Sequence, residues 1–235
     1  MAKLIRGEII TYILEHYVNL FFEGIAYTLL MSAITVLFGC LLGGLLTFMK
    51  QNKWGFSVGK VRIAPLSLLA TVYIEIIRGT PILLQLYFFY FLLPGLFPML
   101  NLSKFTSIMV ALICNSAAYV SEIFRAGIAS VDRGQTEAAR SLGLSKIQTM
   151  QKIVLPQAIK SILPAMANEF IMMIKETSLA STFFVGDLMT QFQTISGALY
   201  VTLEPLIIVG VIYFVLTFTL SKGVAALERR LNTNG

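Results

Sequence analysis

RGQTEAARSLGLSKIQTMQKIVLPQA, residues Arg133–Ala158, is a polar stretch within a strongly apolar chain. Of the 235 residues, 57% are hydrophobic and only 13% are charged, and the mean hydropathy is +0.80. The charged fraction is about half that of a soluble domain, so the composition indicates a membrane protein. A polar stretch of this length is unexpected in such a protein, and its role bears on both fold and function.

The first half of this stretch predicts a short helix. Asp132 is suited to cap its N-terminus, and GQTEAARSL forms its body. Gly143 follows, at a position where a left-handed backbone favours glycine. The helix offers a low-relief surface suited to a groove on another protein, formed by Glu137, Ala138, Ala139 and Leu142.

The second half predicts another helix. Ser145 opens it, and Gln148 three residues later completes a capping-box pattern. Apolar residues at helical spacing form a stripe on one face, namely Ile147, Met150, Ile153 and Val154. We expect Pro156 to end this helix and to turn the chain towards the next membrane crossing. Capping and periodicity alone are equally compatible with an amphipathic loop that lies on the membrane.

Five segments are long and apolar enough to cross a bilayer, which takes about 20 residues. They run from about Phe21 to Phe48, Pro65 to Leu93, Phe105 to Phe124, Ile159 to Val185 and Thr202 to Leu220. We therefore predict an all-α integral membrane protein with five transmembrane helices. It forms a single domain, 1–235, with an N-terminal outer segment (1–20), a bundle (21–222) that includes the loop 133–156, and a C-terminal tail (223–235).

Lysines and arginines between the crossings give the orientation, because short cytoplasmic loops are rich in them. The basic segments are loop one (Lys50, Lys53, Lys60, Arg62), loop three (Arg125, Arg133, Arg140, Lys146, Lys152) and the tail (Lys222, Arg229, Arg230). Loop two has only Lys104, and loop four has no lysine or arginine. We therefore place loops one and three and the C-terminus in the cytoplasm and the N-terminus outside, although Lys3 and Arg6 lie at the outer end.

The composition disfavours several other classes of function. Cys40 and Cys114 lie in apolar runs, and the single histidine is His16, so we expect no disulfide framework, no metal site and no catalytic residue. The net charge of +6 is spread between the apolar runs, which disfavours nucleic-acid binding. The sequence contains no G-x-x-x-x-G-K-[ST] phosphate loop, so we expect no cofactor in this chain and any ATP on another subunit.

Residues of the polar stretch fit the EAA pattern of bacterial ABC-importer permeases: EAA, three residues, glycine, nine residues and I-x-L-P. They are Glu137, Ala138, Ala139, Gly143, Ile153, Leu155 and Pro156. The chain thus resembles that family, which implies a type I ABC importer fold. In the family this short helix couples the permease to a cytoplasmic ATPase. The resemblance therefore implies ATPase contact by Glu137, Ala138, Ala139, Leu142 and Gly143.

Two further stretches resemble the polar-amino-acid branch, which includes histidine, glutamine, arginine and cystine permeases. YIEIIRGTPILLQLYFFY, Tyr73–Tyr90, is similar to its E-x-x-R-G-T-P segment, and NEFIMMIKETSLAS, Asn168–Ser181, to its N-E-x-x-x-x-x-K-x-T-S-L segment. This implies import of a polar amino acid by ATP-driven alternating access. It also implies as partners two ATPase subunits that hold ATP and magnesium, a second copy or a homologous permease, and an extracytoplasmic amino-acid-binding protein.

The fourth predicted crossing carries one broad polar face. On a helix, Asn168 lies above Lys175 and Glu169 above Glu176, in rows about 100° apart. Charged groups in membrane helices usually face a partner, a cavity or a pathway. Lys175 is suited to pair with the carboxylate of an amino acid, and Glu169 or Glu176 with its ammonium. The hydroxyls of Thr177 and Ser178 follow and are suited to hydrogen bonds. The predicted substrate-pathway residues are Asn168, Glu169, Lys175, Glu176, Thr177 and Ser178.

Charged residues in the second and third crossings have two possible roles. Glu75, Arg78 and Glu122 either form ion pairs that hold helices together or close a gate. The sequence Arg78-Gly79-Thr80-Pro81 predicts a break in the helix, because proline lacks a backbone donor and disfavours helix at the residue before it.

An ion-coupled carrier or a channel with no ATPase partner is the alternative function. For such a protein, Arg133–Ala158 would be a dispensable loop, because nothing would dock on it. A structural scaffold would leave the polar face of the fourth crossing unexplained.

Overall fold

The computed structural model describes residues 6–52, 54–58, 61–100 and 102–233. Lys3, Lys53 and Lys60, which entered the predicted orientation, lie outside the described residues, as do the ends 1–5 and 234–235. The elements in chain order are α1 (Arg6–His16), α2 (Val18–Gln51), β1 (Phe56–Val58), β2 (Val61–Ile63), α3 (Pro65–Gly79), α4 (Ile82–Leu96), a 3₁₀ turn (Pro98–Leu100), α5 (Lys104–Ala129), α6 (Arg133–Ser141), α7 (Lys146–Thr149), a π turn (Met150–Val154), α8 (Leu155–Glu176), a 3₁₀ segment (Thr177–Phe183), α9 (Leu188–Leu199) and α10 (Leu203–Thr233).

Within the described chain, three single helices are long and apolar enough to cross a membrane. They are α2, α5 and the part Leu203–Leu231 of α10, at the positions of the first, third and fifth predicted crossings. Large side chains on α2 such as Phe22 (65% exposed) and Phe48 (69% exposed) are left mostly uncovered by the described residues. Their exposure suits contact with lipid, because hydrocarbon solvates them as well as a protein core does.

The second predicted crossing is not one helix. Helix α3 ends at Gly79, Thr80 is extended (φ −121°, ψ 146°), and α4 begins at Ile82. Together the two helices are long and apolar enough for one crossing, so the pair is a broken span or a re-entrant segment. The break that Arg78–Pro81 predicts is therefore confirmed, and the crossing from Pro65 to Leu93 stays a prediction, as a broken span. The reason is local, since Pro81 excludes helical backbone at the residue before it.

The region of the fourth predicted crossing is helical but weakly apolar. Helix α8 is followed directly by the 3₁₀ segment Thr177–Phe183, and its polar side chains keep it out of the candidate spans found in the described residues. A crossing from Ile159 to Val185 therefore stays a prediction. The chain also departs from a purely α structure, because β1 and β2 form a small antiparallel hairpin in the first loop, with Phe56 opposite Ile63.

The chain divides into two compact units. Unit 1 comprises Met1–Thr35, Ile82–Leu112 and Ile171–Ser221. One of its cores gathers the fully buried residues Met31, Leu86, Ile108 and Leu112 with Ala180. A second core gathers Ile13, Phe21, Leu188, Ile195 and Val209.

Unit 2 comprises Val36–Pro81, Ile113–Phe170 and Lys222–Gly235, and it contains the polar loop. Glycines bring its helices close together. A Cβ atom at Gly39 would lie 2.7 Å from the Ser116 hydroxyl, and one at Gly43 would lie 2.8 Å from Val120. Any side chain at either position would push α2 away from α5, so this contact requires glycine.

Candidate functional site

The first part of the loop is a short capped helix, as its sequence predicts. The Asp132 carboxylate accepts a hydrogen bond from the Gly134 backbone N–H at 2.7 Å and caps α6. At the other end, the Leu142 N–H donates to the carbonyl of Ala138. Gly143 then adopts a left-handed backbone with φ +86°. Both predicted caps are confirmed, and together they fix the length of α6.

The capping box of the second helix is also confirmed. The Gln148 N–H donates to the Ser145 hydroxyl at 3.2 Å, and the Ser145 N–H donates to the Gln148 side-chain carbonyl at 2.8 Å. The expectation that Pro156 ends this helix is wrong, because helical backbone continues through the π turn into α8. In that turn the Leu155 N–H bonds to Met150, five residues back. The wider π register eases the clash between a proline ring and the carbonyl four residues earlier.

The structure separates the predicted ATPase-contact residues by exposure. Glu137, Ala138 and Gly143 are exposed, and Leu142 is 82% exposed. Ala139 is instead 5% exposed and packs inside the loop. In the predicted apolar stripe, Val154 is buried and Met150 and Ile153 are half-buried, but Ile147 is 69% exposed. The loop therefore presents two large apolar side chains, Leu142 and Ile147, that the described chain leaves uncovered.

A cluster of ion pairs in unit 2 is centred on Glu122 of α5. Its carboxylate lies 2.8 Å from the Lys50 ammonium, 2.8 Å from the Arg125 guanidinium and 3.8 Å from that of Arg78. The Arg78 guanidinium also lies 5.6 Å from the centre of the Tyr119 ring. The cluster thus joins α2, α3 and α5.

Two of the three residues predicted to form a gate or to pair helices meet in this cluster. Glu122 is only 16% exposed, so its carboxylate depends on these cations. Glu75 is exposed on α3 and forms no ion pair with another described residue. The structure therefore brings Arg78 and Glu122 together and leaves Glu75 apart.

The residues of the predicted polar face of α8 lie in different environments. Glu169 is 6% exposed and accepts a hydrogen bond from the Ser116 hydroxyl of α5 at 2.8 Å. Asn168, its neighbour, is exposed. Glu169 therefore points into unit 2, where Asn115 of α5 is also buried.

The end of α8 lies in unit 1. Lys175 is exposed and Glu176 is half-buried. The Thr177 hydroxyl is buried and donates to the carbonyl of Ile174 at 2.9 Å, and the Ser178 hydroxyl donates to the carbonyl of Lys175. The two hydroxyls thus satisfy carbonyls at the end of the helix, where intrahelical donors run out.

Several polar partners were missed by the sequence reasoning. Lys50 and Arg125 counted only as loop charges, and Ser116 was not singled out. Asp187 was also missed, although it is fully buried and caps α9 by accepting the Met189 N–H at 3.0 Å. Burial raises the pKa of the Asp187 carboxyl, although hydrogen bonds from Thr190 and Met189 act against the shift. Its place just before an apolar helix was the available signal.

Comparison with known proteins identifies the family. A family model described as "Binding-protein-dependent transport system inner membrane component" matches residues 51–233, more than half of the chain. The chain belongs to this family. It is thus a permease component of an ABC importer, a multi-pass protein of the bacterial inner membrane. Such components work with an ATPase carried by a separate subunit and with a substrate-binding protein.

Named relatives match this chain over almost its whole length. The chain is 41% identical over 212 residues to the arginine transport system permease protein ArtQ of Bacillus subtilis (strain 168), which covers 90% of this chain and 92% of the relative. It is 37% identical over 214 residues to the glutamine transport system permease protein GlnP of Escherichia coli (strain K12), covering 91% and 94%.

Solved structures agree with the family fold. A crystal structure described as an amino acid ABC transporter with histidines matches with a TM-score of 0.82 and 44% identity, covering 91% of this chain and 95% of that one. The inward-facing MetNI methionine transporter matches with a TM-score of 0.73 and 18% identity, covering 90% and 96%. The described chain therefore has the fold of type I ABC importer permeases.

Proposed function

We propose that this permease moves a polar amino acid inwards and is driven through the loop Arg133–Ala158. The observation that carries the proposal is the exposure of Leu142, 82%, on a helix that is capped at both ends. With Ile147, which is 69% exposed, it gives the loop two uncovered apolar side chains, and these suit a groove on another protein. The arginine and glutamine names of the relatives support an amino acid as the substrate.

The proposed assembly contains two copies of the permease fold. This chain pairs with a second copy or with a homologous permease, two ATPase subunits bind from the cytoplasm, and an extracytoplasmic binding protein delivers the amino acid. ATP and magnesium belong to the ATPases. We further propose five crossings, with the N-terminus outside and the C-terminus in the cytoplasm, in which α8 and its 3₁₀ extension supply the fourth.

In the proposed docking, the exposed residues of the loop meet a groove of the ATPase. Glu137, Ala138, Leu142 and Gly143 make the contact, and Ala139 supports α6 from inside. Closure of the ATPases on ATP would move both loops and open the pathway outwards, and hydrolysis would reset it. Such a cycle requires that ATP and substrate bind the two states with different affinity.

For the substrate pathway we propose the exposed polar residues of α8. Asn168 and Lys175 are two turns apart on this helix, and both are exposed. Lys175 pairs with the substrate carboxylate, and Glu176 with its ammonium. Glu169 is less suited to the ammonium in this conformation, because its carboxylate is buried against Ser116. Thr177 and Ser178 contribute to the pathway by holding the end of the helix.

We propose that Arg78 and Glu122 pair helices rather than close a gate, which are the two roles predicted for them and for Glu75. Their cluster connects three helices and leaves no carboxylate unpaired within it. The alternative function, an ion-coupled carrier or a channel, is not favoured, because members of this family are components of binding-protein-dependent systems.

The experiment is reconstitution of the permease with its ATPase and binding protein in proteoliposomes. Uptake of a panel of labelled amino acids is measured with and without ATP, for the natural chain and for Leu142→Asp. We expect ATP-dependent uptake of one chemical class, and loss of both uptake and stimulated ATP hydrolysis in Leu142→Asp. Burying an unpaired carboxylate in an apolar groove costs several kcal/mol, which would abolish docking.

The matched control is Gln151→Asp, which puts the same charge on an exposed residue of the π turn that is not among the proposed contact residues. This variant should retain uptake. Full coupling in Leu142→Asp would remove the docking surface from the proposal. Uptake that continues without ATP and follows an ion gradient would instead establish the carrier.

A further inference from the structure

A cavity of about 480 Å³ opens beside the coupling loop, and the proposed function leaves it unused. Its walls come from the end of α5, from α6 and α7, and from the π turn. All of the lining residues lie within unit 2. Three of its lining residues are cations, Arg133, Arg140 and Lys146, and none is acidic.

Among the described residues, none forms an ion pair with these cations. Arg133 and Lys146 have exposed side chains that pair with no other described residue. Arg140 donates to the carbonyl of Leu144 and forms no ion pair within the described residues. The neighbouring carboxylates are engaged or turned elsewhere, since Asp132 caps α6 and Glu137 does not line the cavity. Three like charges around one cavity repel one another unless an anion joins them.

The remaining lining is mostly apolar. Ile128, Val131, Met150 and Val154 contribute to the walls beside the cations. A free phosphate would meet only the cations and would leave this apolar lining unused. An amphiphile with an anionic head and hydrocarbon next to it fits both parts of the cavity.

The position of the cavity favours a lipid as that amphiphile. Helix α5 is a candidate membrane span that ends at Ala129, and Ala129 itself lines the cavity. A crossing that ends near Phe124, as the sequence predicts, would leave the end of α5 and the cavity on the headgroup side of the bilayer. Basic pockets at such positions bind anionic headgroups.

We propose that this cavity binds the phosphate headgroup of an anionic phospholipid. Arg133, Arg140 and Lys146 hold the phosphate, and the apolar walls contact the glycerol and the first acyl carbons. The lipid would then touch the same loop that docks on the ATPase, so bilayer composition would bear directly on the coupling element.

The test uses the permease–ATPase complex in nanodiscs of phosphatidylcholine with a minor fraction of phosphatidylglycerol. Native mass spectrometry counts the lipids that stay bound after the complex is released. We expect the natural chain to retain phosphatidylglycerol in preference to phosphatidylcholine. Arg133→Gln and Lys146→Gln should each weaken that retention by about fivefold, which corresponds to about 1 kcal/mol for each cation.

The matched control is Lys152→Gln, which removes the same charge from an exposed residue of the loop that does not line the cavity. This variant should retain lipid like the natural chain, and an equal loss in all three variants would overturn the site. Displacement of the lipid by millimolar inorganic phosphate would assign the cavity to a soluble anion. Lipid that binds the isolated permease but not the complex with ATPase would assign it to an acidic group of the ATPase.

Discussion

At the scale of single residues, Glu122 is the centre of a cluster of ion pairs. One carboxylate, 16% exposed, faces Lys50, Arg78 and Arg125 from three helices. A carboxylate in this position removes repulsion between the cations as well as pairing with each of them. The residue therefore stabilises the packing of α2, α3 and α5 beyond what any one surface ion pair would contribute.

Replacing Glu122 with glutamine tests this role. The substitution keeps the shape of the side chain and leaves three cations without a counter-charge. We expect a loss of about 1–3 kcal/mol in unfolding free energy, measured as a lower midpoint of thermal unfolding in detergent. Glu75→Gln is the control, because Glu75 is an exposed carboxylate on α3 outside the cluster. Equal midpoints for the two variants would contradict a stabilising role for the cluster.

At the scale of elements, the loop Arg133–Ala158 is specified by short-range rules. The side chains of Asp132, Ser145 and Gln148 cap α6 and α7, and Gly143 turns the chain between them. Each interaction spans at most three residues, so each is readable from the sequence. The end of the second helix could not be predicted from the sequence. Its continuation past Pro156 depends on a π turn, and no local sequence pattern predicts that turn.

Gly143→Ala should loosen this element. Nothing lies within 4 Å of the added Cβ, so the effect comes only from the left-handed backbone with φ +86°. Alanine there costs about 1 kcal/mol, and amide hydrogen exchange in α6 and α7 should speed up by about fivefold. Gly223→Ala, in the open interior of α10, should instead stabilise its helix by about 0.5–1 kcal/mol. Unchanged exchange in Gly143→Ala would show that the turn does not limit the loop.

At the scale of the whole molecule, transport requires a polar route through an apolar protein. Only 13% of the residues are charged, and the cluster around Glu122 uses several of them for packing. Lys175 is not a member of that cluster, and its side chain is exposed on α8. This separation of packing charges from exposed charges makes Lys175 the residue to test for contact with substrate.

Lys175→Gln should reduce amino-acid uptake in the reconstituted complex. Losing a charge-assisted hydrogen bond to the substrate carboxylate should lower uptake at limiting substrate by roughly tenfold, with ATPase docking unaffected. Uptake and basal ATP hydrolysis are measured together, with Lys152→Gln as the charge-matched control. If uptake and selectivity are both unchanged, Lys175 is not the carboxylate partner.

The sequence by itself determined the features that depend on neighbouring residues. These are the apolar helices α2, α5 and α10, the caps in the loop Arg133–Ala158, and the break at Arg78–Pro81. Hydropathy, capping and backbone restriction act within a few residues or along one helix, so they can be recognised in the sequence alone. The EAA pattern also identified the family from this local information.

Only the tertiary structure decided which distant side chains meet. Lys50 is 72 residues from Glu122, and Ser116 is 53 residues from Glu169, yet each pair lies at 2.8 Å. Such pairs depend on the rotation and spacing of packed helices, which glycines such as Gly39 set by admitting a close approach. The same packing buried Glu169 and left Lys175 exposed, although the sequence placed both on one polar face. Helix periodicity fixes the angle between two residues on one helix, but only packing decides which of them faces a neighbour.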